Sequence, residues 1–414
     1  MKAIILLAAA LLAVFAGAAS GEVGGGGVLL AELSADARSK AIEALNGHDF
    51  DGAIRLLENP ASEDLFDSEQ KKLLGFAYTG RGWAKAMSGR FDEALEDFKK
   101  ARLEEPEKNS QTYLGIGFSY YKLKKADDAL YYLAEASNID PGNKEAHELL
   151  GQIDYERGRL DEAVREWERA LALEPENDAL KQVLEKAKKE QGVEGSFTKK
   201  DTYSFVVKYE GEEKKDLGNL VLDTLYDATA NVGGDLGFYP RDPICVTLYT
   251  RKQFVDITDA PTWSGGIYDG IIRLPVGGGR IDKVTLSAVL HHEYTHAVIR
   301  MMAGGKVPVW LNEGLAQYEE RWARPHVEPG PIKNFIPLSE LSGSFMGMDA
   351  DKAEQAYAQS LSAVQYYINR YGMYSLSKLV KLLGEGRGIG EAMEEAAGVA
   401  PEKFEEYWHR NASN

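Results

Sequence analysis

The first half of the chain repeats one pattern of apolar and polar positions, that of paired amphipathic helices. The string Gly89-Arg90-Phe91-Asp92-Glu93-Ala94-Leu95 returns as Lys124-Lys125-Ala126-Asp127-Asp128-Ala129-Leu130. It returns again as Gly158-Arg159-Leu160-Asp161-Glu162-Ala163-Val164, so the spacings are 35 and 34 residues. Each unit continues in phase with a large residue in its second helix (Phe98, Leu133, Trp167), then an alanine (Ala101, Ala136, Ala170) and a closing proline (Pro106, Pro141, Pro175). Gly82, Gly115 and Gly151 mark a close crossing in the first helices, with Gly115 out of phase. A degenerate leading unit over residues 41–58, with Ala53 in the matching position, and a polar helix over 177–190 are expected to cap the stack. Such pairs cannot bury their apolar faces alone, so the pattern predicts an all-helical solenoid over residues 36–190 with a concave binding face.

After residues 191–195 (Gln-Gly-Val-Glu-Gly), expected as the linker, the pattern changes. Residues 203–209 and 244–249 read as strands, residues 217–230 as a helix between them, and the frame predicted for 197–414 is a small sheet with helices. Residues 265–275 carry two short apolar runs around Asp269-Gly270, the signature of a hairpin. Next comes a long helix, with Asp282 as its cap, apolar positions Leu286, Val289, Leu290, Ala297, Val298 and Met301, and a stop at Gly304-Gly305 before Pro308.

That helix carries His291-His292-Glu293-Tyr294-Thr295-His296. Residues four apart share a helix face, so His292 and His296 can grip one metal ion, with Glu293 beside it. There the Glu293 carboxylate can take a proton from a metal-bound water, whose pKa zinc lowers to about 7. A catalytic zinc needs a third protein ligand. A histidine six residues after His296 is excluded, because that position is Met302. A glutamate on a following helix is available as Glu313, in Trp310-Leu311-Asn312-Glu313-Gly314-Leu315-Ala316. The chain reverses after Gly304, and a helix beginning near Pro308 climbs about 7 Å by Glu313, at about 1.5 Å per residue. Gly314 inside that helix signals the close approach of a neighbouring backbone.

These two strings together resemble the gluzincin peptidases, in particular bacterial peptidase MA-like domains, over about residues 282–320. Residues 356–360 and 366–372 are similar to a looser tyrosine-bearing helix of the same group. The resemblance implies an α+β zincin-like metallopeptidase domain, a Zn²⁺ ion on His292, His296 and Glu313, Glu293 as general base, and Tyr357 as the donor to the oxyanion. His326, in a Pro-rich segment that reads as a lid or a surface loop, is the alternative donor. His291 points away from the ligand pair and reads as a supporting or packing residue, and Gln317 is a candidate for orienting an imidazole. The gluzincin strand before the metal helix lines the cleft, which implies peptide addition to the edge of the 265–275 hairpin; the alternative is a purely structural hairpin. A Gly-x-Met-Glu-Asn strand is absent, which favours endopeptidase over aminopeptidase. The helical repeat is tetratricopeptide-like, which implies a peptide or protein partner on its concave face.

Composition narrows the picture. The net charge of −17 gives no basic footprint for nucleic acid. Lys2, the apolar run over 3–15 and the small residues Ala16, Ala18, Ala19 and Ser20 read as a signal peptide over 1–20, with a Gly-rich flexible leader over 21–35. The single cysteine, Cys245, excludes an internal disulfide. The expected location is the bacterial periplasm or the cell exterior. The reading is an exported zinc endopeptidase with repeats that bind substrate or partner. The competing one is a non-enzymatic adaptor that retains the peptidase scaffold.

Overall fold

The computed structural model describes residues 28–58, 68–105, 107–211, 215–260, 264–276, 282–330, 332, 334–345 and 348–412. The signal segment expected over 1–20 and Pro106 lie outside the described residues. The chain forms two compact units, one ending at Glu185 and the other comprising Glu156–Leu160 and the residues from Lys186 onward. Among the described residues no helix is long and apolar enough to cross a membrane.

The first unit is built from helix hairpins: α1 (Val28–Asn46) with α2 (Phe50–Glu58), α3 (Ser68–Met87) with α4 (Phe91–Glu104), α5 (Ser110–Lys122) with α6 (Ala126–Ile139), and α7 (Lys144–Glu156) with α8 (Leu160–Leu173). Helix α9 (Asp178–Glu194) follows. The repeated alanines Ala94, Ala129, Ala163, Ala101, Ala136 and Ala170 are all fully buried. The turn within each hairpin needs one residue in the left-handed region. Gly89 and Gly158 fill that position, and His48 (φ 63°) and Lys124 (φ 59°) adopt it despite their side chains.

Three expectations are corrected. The leader expected over 21–35 is helical from Val28, because Val28-Leu29-Leu30-Ala31-Glu32-Leu33 is rich in helix formers. Of the linker expected at 191–195, residues 191–194 are the last turn of α9, which ends at Glu194. The in-phase glycine of the third repeat is Gly117, where a Cβ would stand 2.7 Å from Leu133, matching Gly82 against Phe98 and Gly151 against Trp167. Gly115 instead makes room for Phe98 of the preceding repeat.

One carboxyl gives this unit a pH dependence. Glu105 accepts hydrogen bonds from Thr112 (2.8 Å) and Asn109 (3.0 Å), yet burial outweighs them and pushes its pKa up to about 7. The folded chain therefore holds this proton more tightly than the unfolded chain, where the value is 4.5. Its contribution is fully present below the unfolded value and is lost as pH rises through about 7. The urea midpoint of the wild type is expected to fall between about pH 5 and about pH 8, and to fall less in Glu105→Gln.

The second unit has a five-stranded sheet in the order β1 (Phe197–Asp201), β2 (Phe205–Glu210), β3 (Ile244–Tyr249), β5 (Ile272–Pro275), β4 (Ile267–Tyr268). The central strands β2, β3 and β5 are parallel, and both edge strands are antiparallel to their neighbours. Helix α10 (Lys215–Leu236) links β2 to β3, and α11 (Arg251–Thr258) follows β3. After the sheet come α12 (Lys283–Ala303), α13 (Val309–Glu319), a 3₁₀ turn (Glu320–Trp322), α14 (Leu338–Leu341), α15 (Ala350–Tyr371), α16 (Met373–Gly384), α17 (Ile389–Ala397) and α18 (Pro401–Ala412). Strand alternation sends Phe205, Val207, Val246, Leu248, Ile272 and Leu274 into one apolar core with α10, α12, α13 and α15. The hairpin expected over 265–275 is the β4–β5 pair, with Gly270 at φ 115° in its turn.

Candidate metal centre

Helix α12 starts where Asp282 accepts from the Val284 and Thr285 amides (3.3 and 3.0 Å) and ends at Gly304 in the left-handed conformation. Its apolar face, with Leu286, Leu290, Ala297 and Val298, is buried in the core, so the opposite face with His292 and His296 is set by packing. Gly304 and Gly305 both have positive φ, which turns the chain back into α13 at Pro308. This brings Glu313 over the histidines. Its Oε2 lies 3.9 Å from His292 Nε2 and 3.7 Å from His296 Nε2, and the ligand atoms of the three residues all fall within 4.8 Å of one another.

The donor set fits a zinc ion. Two imidazole nitrogens and a carboxylate oxygen are bound at about 2.0–2.2 Å, which places tetrahedral ligands about 3.4 Å apart and leaves one position open. The observed 3.7 and 3.9 Å are close to that separation.

Gly314 follows Glu313, and a Cβ there would stand 2.2 Å from the Ser360 carbonyl oxygen on α15. The neighbouring backbone expected at this glycine is therefore α15. Gly314→Ala is expected to destabilise the fold by about 1–3 kcal/mol through overpacking. Helix propensity alone would favour alanine by about 1 kcal/mol, so the sign of the change in denaturation midpoint decides between the two.

The same crossing delivers Tyr357. Burial raises its pKa to about 12, and the negative charges of Glu313 and Glu293 add to the rise. Its ring stands edge-on to Phe345, with centroids 5.3 Å apart. Gln317 donates to the Tyr357 carbonyl (3.1 Å) and to the Glu313 carbonyl (3.3 Å), which ties α13 to α15 and orients no imidazole. His326 is exposed and makes no hydrogen bond to a site residue. The Pro-rich segment carrying it is strapped along α15, because Gln365 donates to the Val327 carbonyl (2.7 Å) and Gln359 bridges the Asn334 carbonyl and the Ile336 amide (2.9 and 2.8 Å).

Glu293 is buried on the helix that carries His292 and His296. Burial pushes its pKa up to about 7, the charge of His292 opposes the rise, and Glu313 and Glu320 add to it. Gly266, just before β4, lies against it: a Cβ there would stand 3.0 Å from Glu293 Cγ. His291 hydrogen-bonds the Ser287 carbonyl through Nδ1 (2.8 Å), and its Nε2 faces the Asn231 side-chain amide on α10 (3.2 Å). It is a packing residue that joins α10 to α12, and burial lowers its pKa.

The sequence reading missed Glu320. Its Oε1 lies 3.0 Å from His292 Nδ1, so it fixes the ring with Nε2 toward Glu313. Burial acts to lower the His292 pKa, but the Glu320 hydrogen bond and the Glu293 and Glu313 charges outweigh it and raise the value to about 9. Burial also dominates at His296, whose pKa is lowered against the pull of Glu313. The adjacent carboxylate turns away: Glu319 is fully buried on Arg321 (2.9 Å) and Trp322 (3.1 Å). A signal for Glu320 existed, since it lies seven residues after Glu313, two helical turns along the same face.

Comparison with known proteins places both parts. The sequence model of the Peptidase MA superfamily matches residues 224–414, and that of the tetratricopeptide repeat matches 86–153 and 120–187. The chain is 30% identical over 144 residues to Small glutamine-rich tetratricopeptide repeat-containing protein 2 of Mycosarcoma maydis, covering 34% of this chain and 38% of that protein. It is 34% identical over 93 residues to Tetratricopeptide repeat protein 13 of Homo sapiens, covering 21% and 11%. The chain thus spans well under half the length of these relatives. A solved structure of MamA is 24% identical with a TM-score of 0.30, over 38% of this chain and 82% of that one. The chain joins tetratricopeptide repeats to a domain of the Peptidase MA superfamily.

Proposed function

We propose that the chain is an exported zinc-dependent endopeptidase whose repeats bind a substrate or partner protein. The observation that carries this reading is the convergence of His292, His296 and Glu313 within 4.8 Å, with Glu293 buried next to them. A bound zinc ion would supply Lewis acidity that acidifies a water and polarises the scissile carbonyl. Glu293 accepts the proton of the attacking water and passes it to the leaving nitrogen. The Tyr357 hydroxyl, protonated throughout the working range, donates to the developing oxyanion. Strand β4 at the sheet edge, beside α12, offers main-chain groups to an extended peptide, so selection would rest on chain shape more than on one side chain. Export rests on the composition of residues 1–20.

The test is cleavage of an unbiased peptide library by the mature protein, before and after chelation and again after zinc is restored. The peptidase reading expects cuts that disappear with the metal and return with it, at internal bonds. The adaptor reading expects no cuts under any condition, and cellular function that survives Glu293→Gln.

A further inference from the structure

The face of the sheet opposite the apolar core carries charge. Strand alternation places Lys208 of β2, Thr247 of β3 and Arg273 of β5 there, all buried. The carboxylates that answer them come from the end of α9, within the same compact unit. Glu194 lies 2.8 Å from Lys208, and Glu190 lies 2.9 Å from Arg273, with both side chains of the second pair wholly inaccessible. Arg273 also grips Asp269 in the β4–β5 turn, and Asp269 in turn holds Lys186 of α9 at 2.5 Å.

A buried ion pair is weak as a source of stability, because well-packed apolar residues of similar volume commonly do as well or better. What such a pair supplies in some proteins is a fixed geometry. Arg273 pairs directly across the ladder with Ile267 of β4. The preceding residue is Gly266, whose Cα carries no side chain and so lets the strand close on Glu293, Val289 and Leu274, each 3.0 Å from where a Cβ would stand. A line of contacts therefore runs from Glu190 through Arg273 and the β4–β5 ladder to the Glu293 side chain.

We propose that Glu190 and Arg273 are positioning residues that fix the β4–β5 hairpin against Glu293. The catalytic part of this inference rests on the peptidase reading; the mechanical part does not. The experiment compares the full-length wild type with the double variant Glu190→Gln/Arg273→Met, in which the pair is neutralised together and Asp269 retains Lys186. Amide exchange over residues 265–275 is expected to accelerate about tenfold, with α12 and α13 unaffected. Zinc affinity is expected to stay at the wild-type value while kcat falls about 10- to 100-fold. Gly266→Ala, which disturbs Glu293 from the hairpin side, is expected to lower kcat without accelerating that exchange. Unchanged exchange in the hairpin overturns the proposal whether or not the wild type cleaves peptides. Exchange that accelerates throughout the second unit, together with lost zinc affinity, also overturns it, by reducing the pair to general support of the fold. A wild type that cleaves nothing removes the peptidase reading and leaves the exchange result to decide the mechanical claim.

Discussion

Glu293→Gln is expected to lower kcat by about 10²–10⁴-fold and to leave zinc affinity at the wild-type value. Glutamine has the same shape, so the packing against Gly266 that places this side chain is retained. It cannot take or return a proton, so the attacking water is not activated and the leaving nitrogen is not protonated. The three ligand atoms belong to other residues, which is why binding and turnover should separate. The metal-free variant should also be more stable than the wild type at alkaline pH. A folded-state pKa raised to about 7 means that folding favours the protonated carboxyl, so wild-type stability falls as pH rises from the unfolded value of 4.5 through about 7. Glutamine removes that loss. Steady-state kinetics, zinc titration and melting curves above about pH 7 check the three parts. Turnover retained in the variant would remove Glu293 from the chemistry.

Glu320→Gln is expected to weaken zinc binding about 10- to 100-fold. The carboxylate holds His292 by its Nδ1 at 3.0 Å and is itself steadied by Arg324 at 3.5 Å. A histidine ligand held this way has its ring orientation and tautomer set before the ion arrives. Competition against a chromophoric chelator measures the change. An affinity equal to the wild type would show that packing around His292 suffices without the carboxylate.

The helix that carries His292 and His296 was legible because its signals are local: the Asp282 cap, the i, i+4 histidines and the Gly304 stop all act within one element. Glu313 was legible because a short reversal leaves the following helix little choice of direction. The parts that were not legible depend on distant elements. The chain alone does not say that α15 crosses α13 at Gly314, although the glycine announced that something does. Of the adjacent carboxylates Glu319 and Glu320, the fold assigns one to Arg321 and Trp322 and the other to His292, through a 3₁₀ turn with no sequence mark of its own. Strand β1, Phe197-Thr198-Lys199-Lys200-Asp201, was invisible because a partly exposed edge strand needs no apolar alternation. The linker was misplaced because the end of α9 is bound by buried charges, which sequence reads as an exposed polar face.

The crossing of α13 and α15 also matters to inhibitor chemistry. With no side chain at Gly314, the Ser360 backbone sits directly against the helix that carries Glu313, and Gln317 staples the two at the level of Tyr357. The Glu313 carboxylate, a proposed metal ligand, and the Tyr357 phenol thus sit on two helices held directly together. A small molecule with a zinc-chelating group at one end and an acceptor for the phenol at the other would meet both partners already in register. Its affinity would then depend on its own rigidity, since the protein has little ordering left to do.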